Sequence, residues 1–310
     1  MRPSTLVWVW LAQGIGGSTP ALTKLALDGI GPFGLTVARQ ILGAGFLFAL
    51  AVASPYLRGG PPAPSRPWSR RDWVLLLALS WGGFALPQVL GAIGLTLSTA
   101  THGALLSPLE PIGILLGAAL VLREPLGLPH ALAAGLGLTG TLMIVVPSSS
   151  SAAAPGSGHL GGDLLMAAGH LSWAVYTLAA KSLVARHDPL RVALRASVLS
   201  VLPLLPLALF EPFSWERALP ALGWLLLLAL LASGVATLAW NRALREVSAG
   251  TMAIFVFVQP AVGLAVGVWA LGEPAALWSV LGATMIVVGV ALATLRGERV
   301  APPPAAAAAS

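Results

Sequence analysis

The sequence contains no cysteine. That excludes a disulfide framework, a thiolate metal site and a cysteine nucleophile. Charge is scarce as well: Asp, Glu, Lys and Arg make up 9% of the 310 residues, against about 25% in an ordinary soluble domain. Seventeen basic and 11 acidic residues cannot cover the surface of a soluble body of this size. Hydrophobic residues account for 57% and the mean hydropathy is +0.87, so disorder is excluded too. The 35 glycines show no period of three, which excludes a collagen-like chain. What remains is an all-α polytopic membrane protein. The net charge of +6 does not indicate a nucleic-acid partner, because the basic residues are scattered among short connections.

A membrane-spanning helix needs about 20 mostly apolar residues at about 1.5 Å each. Ten segments qualify, near 5–27, 33–54, 73–95, 101–121, 128–146, 162–181, 189–209, 219–241, 249–270 and 276–295. They are continuously apolar and lack the roughly ten-residue alternation of barrel strands. The run after Arg2 is long for a leader and has no small-x-small exit, so it reads as the first span. With the N-terminus inside, Arg2, Arg58, Arg66, Arg70, Arg71, Arg123, Lys181, Arg186, Arg191, Arg242, Arg245, Arg296 and Arg299 fall on the cytoplasmic side. Lys24 and Arg217 fall on the other, and Arg39 and Arg195 lie within spans. This asymmetry predicts that both termini are cytoplasmic. Residues 148–158, SSSSAAAPGSG, read as a flexible external linker, and residues 297–310 as a disordered cytoplasmic tail.

The linker divides ten spans into five and five, and the halves resemble each other. Lys24 and Pro32 match Lys181 and Pro189 at an offset of 157. Glu110-Pro111 and Gln259-Pro260 are 149 apart, as are Glu124-Pro125 and Glu273-Pro274, and Gly140 and Gly289. A longer loop in the first half accounts for the change of offset. Five is odd, so the second copy enters the membrane from the opposite side. The expectation is ten transmembrane helices in two inverted five-helix repeats, residues 1–147 and 159–296, an arrangement recurrent among secondary transporters.

The segments LEPIGILLGAALVLREPLGLPHALAAGLGLTGTLMIV and VQPAVGLAVGVWALGEPAALWSVLGATMIVVGVALA resemble the paired ends of EamA domains of the drug/metabolite transporter superfamily. GPFGLTVARQILGAGFLFAL, with Arg39, is similar to that family's second-helix pattern. The resemblance covers residues 5–295. It implies ten helices, a bacterial inner-membrane location and export of small metabolites, with amino-acid exporters, including the YddG-type exporters of aromatic amino acids, as one branch. The second half departs from the first at Gln259, which matches Glu110, and at Ala196, which matches Arg39. The two halves therefore do not contribute identical chemistry.

Eight residues are candidates for a substrate cavity: Gln13, Trp81, Gln88, Glu110, His170, Trp173, Tyr176 and Gln259. Glu110 is the carboxylate nearest a bilayer midplane, where burial costs at least about 2.5 kcal/mol. It reads as a substrate-amine contact or proton-coupling group, or as an interhelical partner of Arg39. Gln259, beside Pro260, suits a zwitterion or interhelical bonding. Gln13 and His170 correspond at the 157 offset, and Gly169, His170, Trp173, Tyr176 and Thr177 share one helical stripe. Trp81 and Trp173 lie deep, where a ring packs against ligand or core; Gln88, two turns on, shares the face of Trp81 on regular α-helical spacing. Arg39 reads first as structural and second as a cation for a carboxylate. Trp8, Trp10, Trp73, Trp215, Trp269 and Trp278 fall near interfaces. Gly113/Gly117 and Gly263/Gly267 read as close-packing faces.

No His-Glu-x-x-His, Walker loop or Gly-x-Ser-x-Gly turn is present. No catalytic residue, metal site or cofactor is therefore expected. The partners expected are a small-molecule substrate and the lipid bilayer. A membrane-embedded enzyme and a non-transporting scaffold or receptor stand as alternatives to a carrier.

Overall fold

The structure, a computed structural model, describes residues 1–27, 29–58, 66–98, 100–149, 160–209, 211–212, 214–271 and 276–296. Most of the expected linker, the tail 297–310 and the Glu273-Pro274 pair lie outside the described residues. The described chain is helical, with no strand among the described residues. In order it forms α1 (Pro3–Leu27), α2 (Pro32–Arg58), α3 (Arg70–Leu77), α4 (Leu86–Leu97), α5 (Ala100–Leu106), α6 (Leu109–Leu120) and α7 (Leu128–Ser149). There follow α8 (Leu160–Val184), α9 (Pro189–Leu209), α10 (Trp215–Leu228), α11 (Thr237–Glu246), α12 (Ala249–Val256), α13 (Val258–Leu271) and α14 (Leu277–Arg296). Wide π-helical segments, Ala78–Ala85 and Ala229–Ala236, join α3 to α4 and α10 to α11.

Local sequence explains the ends. Proline opens α1, α2 and α9, where its missing N–H is not needed. Ser69 and Asp72 cap each other's backbone N–H at the start of α3. The Ser248 hydroxyl accepts from Thr251 N–H at the start of α12. Pro108 and Phe257 stand at the breaks between α5 and α6 and between α12 and α13. Helix starts recur at fixed spacing: α5 and α12, α6 and α13, and α7 and α14 each begin 149 residues apart, and α1 and α8, and α2 and α9, begin 157 apart.

Eight stretches among the described residues are long and apolar enough to cross a membrane: Pro32–Ser54, Arg70–Gly94, His102–Leu120, Leu128–Val146, Pro189–Leu209, Trp215–Glu246, Ala249–Trp269 and Leu277–Thr294. The chain is thus a multi-pass membrane protein. The 25-residue helices α1 and α8 are not among the eight. Both carry polar groups along their length, Gln13, Ser18 and Thr19 in α1 and Asp163, His170, Ser172 and Thr177 in α8, which lowers their hydropathy.

Polar contacts define the two ends of the bundle. At one end, Thr5 of α1 donates to the Glu246 carboxylate of α11. Lys181 of α8 donates to the carbonyls of Leu244 and Val247 at 2.8 and 2.6 Å. Asp72 of α3 pairs with Arg186, just past α8, at 2.7 Å. At the other end, the Asp163 carboxylate of α8 meets Ser98 and His102, and Glu211 accepts from the N–H groups of Phe33 and Gly34 at the start of α2. The start of α1 and the end of α8 therefore lie together.

The largest apolar cluster draws on both halves and includes Val9, Leu76, Ile114, Leu183, Phe255 and Ile286. Every residue of α12 is buried within the fold. Two glycine contacts bring helices into close approach. A Cβ on Gly140 of α7 would stand 2.5 Å from the Gly282 carbonyl of α14, and one on Gly282 would stand 2.4 Å from the Gly140 carbonyl. A Cβ on Gly83 would lie 2.3 Å from the Tyr176 backbone nitrogen. Neither site has room for a side chain.

Candidate functional site

Two cavities occupy the bundle, of about 520 and 590 Å³. They meet at five shared residues, Gly16, Gly103, Glu110, His170 and Gln259. Glu110 is the second residue of α6 and Gln259 the second of α13. Both sit beside a helix break, so the break carries each side chain into the space between the halves. The first cavity lies against α1, α2, α4, α8 and α11, and the second against α1, α5, α7 and α13. Neither is lined by residues 1–11, 241–255 or 177–184, which belong to the end of the bundle at Glu246.

Gln88, Glu110, His170, Trp173, Tyr176 and Gln259 all line the first cavity. Gln13 is fully buried behind the wall, and its Oε1 accepts from Gln259 Nε2 at 2.8 Å. Its part is to orient the Gln259 amide. His170 Nε2 lies 3.2 Å from the Gly103 carbonyl. A carbonyl only accepts, so that contact requires the proton on Nε2 and leaves Nδ1 as the acceptor. Glu110 has no side-chain hydrogen bond or ion pair among the described residues. Of the alternatives for Glu110, the pairing with Arg39 is not made: Arg39 Nη2 instead donates to Gln88 Oε1 at 2.7 Å.

Trp81 lies elsewhere. It is 46% exposed, its indole N–H donates to the Leu199 carbonyl at 3.1 Å, and it lines neither cavity. Regular α-helical spacing puts Trp81 and Gln88 on one face. The π-helical segment Ala78–Ala85 contains Trp81 and slips that register, turning the indole away while Gln88 stays on the cavity wall.

The aromatic wall keeps two of the three expected rings, Trp173 and Tyr176, and adds two others. Trp173 stacks on Tyr176 at 4.9 Å and 9°. Phe84 leans on both, at 5.8 and 5.7 Å, and Trp240 meets Trp173 edge-on at 6.2 Å. Asn241 donates to the Tyr176 hydroxyl at 2.6 Å and fixes it. Sequence reasoning missed Phe84 and Trp240. The signal for Trp240 was its position one turn beyond Ala236, close to Asn241 in the one amphipathic part of an otherwise apolar span.

Other expectations divide. Trp10, Trp73, Trp215, Trp269 and Trp278 are exposed, whereas Trp8 is partly buried beneath the Arg242 guanidinium, 4.9 Å from the ring. Gly113 and Gly117 pack on Leu171 and Leu178 of α8, but Gly263 and Gly267 line the second cavity. His102 is bonded to Asp163 at 3.0 Å, away from the junction of the cavities.

The EamA-like transporter family matches residues 3–146 and again residues 160–295. The chain belongs to that family. Among relatives of this EamA-like transporter, an uncharacterized transporter of Archaeoglobus fulgidus is 26% identical over 298 residues, covering 96% of this chain and 99% of its own. A probable terminal-alkyne amino-acid exporter of Streptantibioticus cattleyicolor is 26% identical over 301 residues, covering 96% and 95%. A solved crystal structure, 22% identical, superposes with a TM-score of 0.79 over 96% of this chain and 98% of that one, a likeness of fold. The matched family and the two named relatives are transporters.

Proposed function

We propose that this EamA-like transporter exports small metabolites, amino acids above all and aromatic ones among them, by alternating access at the junction of its two halves. The carrying observation is Glu110. It stands beside a helix break where two cavities join, and no protein group among the described residues neutralises it. A substrate ammonium or a transported proton fills that role. Gln259, the uncharged counterpart of Glu110, faces it across the same junction and suits the polar remainder of a zwitterion. The relative named as a probable amino-acid exporter supports this substrate class.

In this reading α1 and α8 cross the membrane as well, giving ten spans. Their polar side chains face the cavity or neighbouring helices, so a whole-helix hydropathy understates their fit. Two inverted five-helix repeats, 1–147 and 159–296, explain the recurring helix starts and the meeting of the start of α1 with the end of α8. Lysine and arginine asymmetry assigns the Glu246 end to the cytoplasm of a bacterial inner membrane, with both termini inside. The conformer described is then closed inward, with its cavities toward the outside.

Counterflow of labelled amino acids in proteoliposomes tests the proposal. Wild-type protein is expected to exchange them, and Glu110→Gln is expected to lose most exchange while inserting normally. Wild-type exchange in that variant removes Glu110 from the mechanism. The same exchange in protein-free vesicles removes the carrier reading altogether.

A further inference from the structure

Three arginines lie within or near the helical body, and two are spent on structure. Arg195 lies over the rings of Trp68 and Trp73, at 4.3 and 5.4 Å, with Nη1 buried. Arg242 lies over Trp8, with Nε buried. Arg39 differs. It lines the first cavity, stacks on no ring among the described residues, and has no carboxylate partner among them. One hydrogen bond holds it, from Nη2 to Gln88 Oε1. Gln88 is itself fixed, since its Nε2 donates to the Phe84 carbonyl at 3.3 Å. The guanidinium is therefore aimed but not neutralised by any carboxylate among the described residues, and the residue is half-buried. A guanidinium has five donors in a fixed fork and stays charged at any physiological pH.

A permanent cation inside a bilayer, oriented by a fixed amide and facing a cavity, is a poor scaffold element and a good receptor for a carboxylate. Beside it rise Phe84, Trp173, Tyr176 and Trp240, an apolar wall suited to an aromatic or large aliphatic body. The geometry points to Arg39, oriented by Gln88, as the carboxylate anchor that makes the cavity select carboxylate-bearing substrates with an apolar side chain and reject purely cationic amphipaths. This rests on the carrier reading above and deepens it. The repeat supports the asymmetry: Ala196 occupies the matching position in α9, so only one half supplies the anchor.

The test compares three probes in counterflow with the full chain in proteoliposomes: L-phenylalanine, its amide, and 3-phenylpropionate. The amide keeps the amine and ring but has no carboxylate, and phenylpropionate keeps the carboxylate without the amine. Wild-type protein is expected to prefer phenylalanine over its amide by about tenfold or more, the effect of one charge-assisted pair. Phenylpropionate is expected to compete with phenylalanine. In Arg39→Gln, the preference for phenylalanine over the amide is expected to vanish, phenylalanine falling while the amide does not fall; Arg39→Lys is expected to restore part of the preference. Equal handling of acid and amide by the wild type, which needs no variant, overturns the anchor and leaves the carrier reading intact. So does a parallel loss for both ligands in Arg39→Gln. Exchange of none of the three probes by the wild type sinks the amino-acid reading and the anchor together.

Discussion

Replacing Glu124 with glutamine tests whether the Glu246 end of the bundle is a gate. The Glu124 carboxylate follows α6 and accepts from the N–H groups of Ala249 and Gly250 at 2.9 Å each, across the boundary between halves. Those are orphan donors at the positive end of α12. Glutamine keeps one acceptor oxygen and turns an amide donor toward the second N–H. A hydrogen bond to a charged group contributes about 1.5–3 kcal/mol, so the exchange removes about 2 kcal/mol. If the contact exists only while this end is shut, the shut-to-open ratio falls about thirtyfold, at about 1.4 kcal/mol per factor of ten. The absence of native cysteine makes this measurable. Val247→Cys places one thiol between α11 and α12, at a site only 1% exposed, and its alkylation rate reports opening. The rate is expected to rise by about an order of magnitude or more when Glu124→Gln is added. An unchanged rate accompanied by a lower thermal midpoint refutes the gate and leaves Glu124 as a stabilising cap.

Three further outcomes follow from the packing. Gly83→Ala drives a methyl into the backbone of α8 at Tyr176 and is expected to destabilise the protein by about 1–3 kcal/mol, read as a lower unfolding midpoint in detergent. Trp81→Phe removes one hydrogen bond from a half-exposed ring outside both cavities; counterflow is expected to stay within about twofold of wild type, with a stability loss of about 1 kcal/mol at most. Gln13→Ala frees the Gln259 amide without touching the cavity wall, so substrate affinity is expected to weaken while assembly, followed by size-exclusion profile, is retained.

The sequence carried the helical membrane character and several polar and aromatic residues of the cavity wall, because both rest on local signals. Long apolar runs announce spans, and a polar side chain inside one must face protein or substrate. Glu110, Gln259, His170 and Trp173 were found in this way. Trp81 was misplaced because a π-helical segment changes the angle per residue, and Ala78–Ala85 contains nothing that betrays it in a one-dimensional pattern. The capping by Glu124 and Glu211 was equally hidden. Each carboxylate reaches a helix start in the opposite half, over separations of 125 and 178 residues, and spacing rules describe only neighbours in sequence. Gln13 was recognised as polar and deep, but its hydrogen bond to Gln259 of α13 was not.

The contact of α7 with α14 has an implication for motion. Where Gly140 and Gly282 meet, backbone lies directly on backbone, flanked by the side chains of Met143, Ile144 and Ile286. Such a crossing works as a pivot: the two helices are held at one point of close approach, while bulk added at either glycine would force them apart. The slowest step in the working cycle would then be set by the ends that must unlatch, with this seam as the fixed point between them.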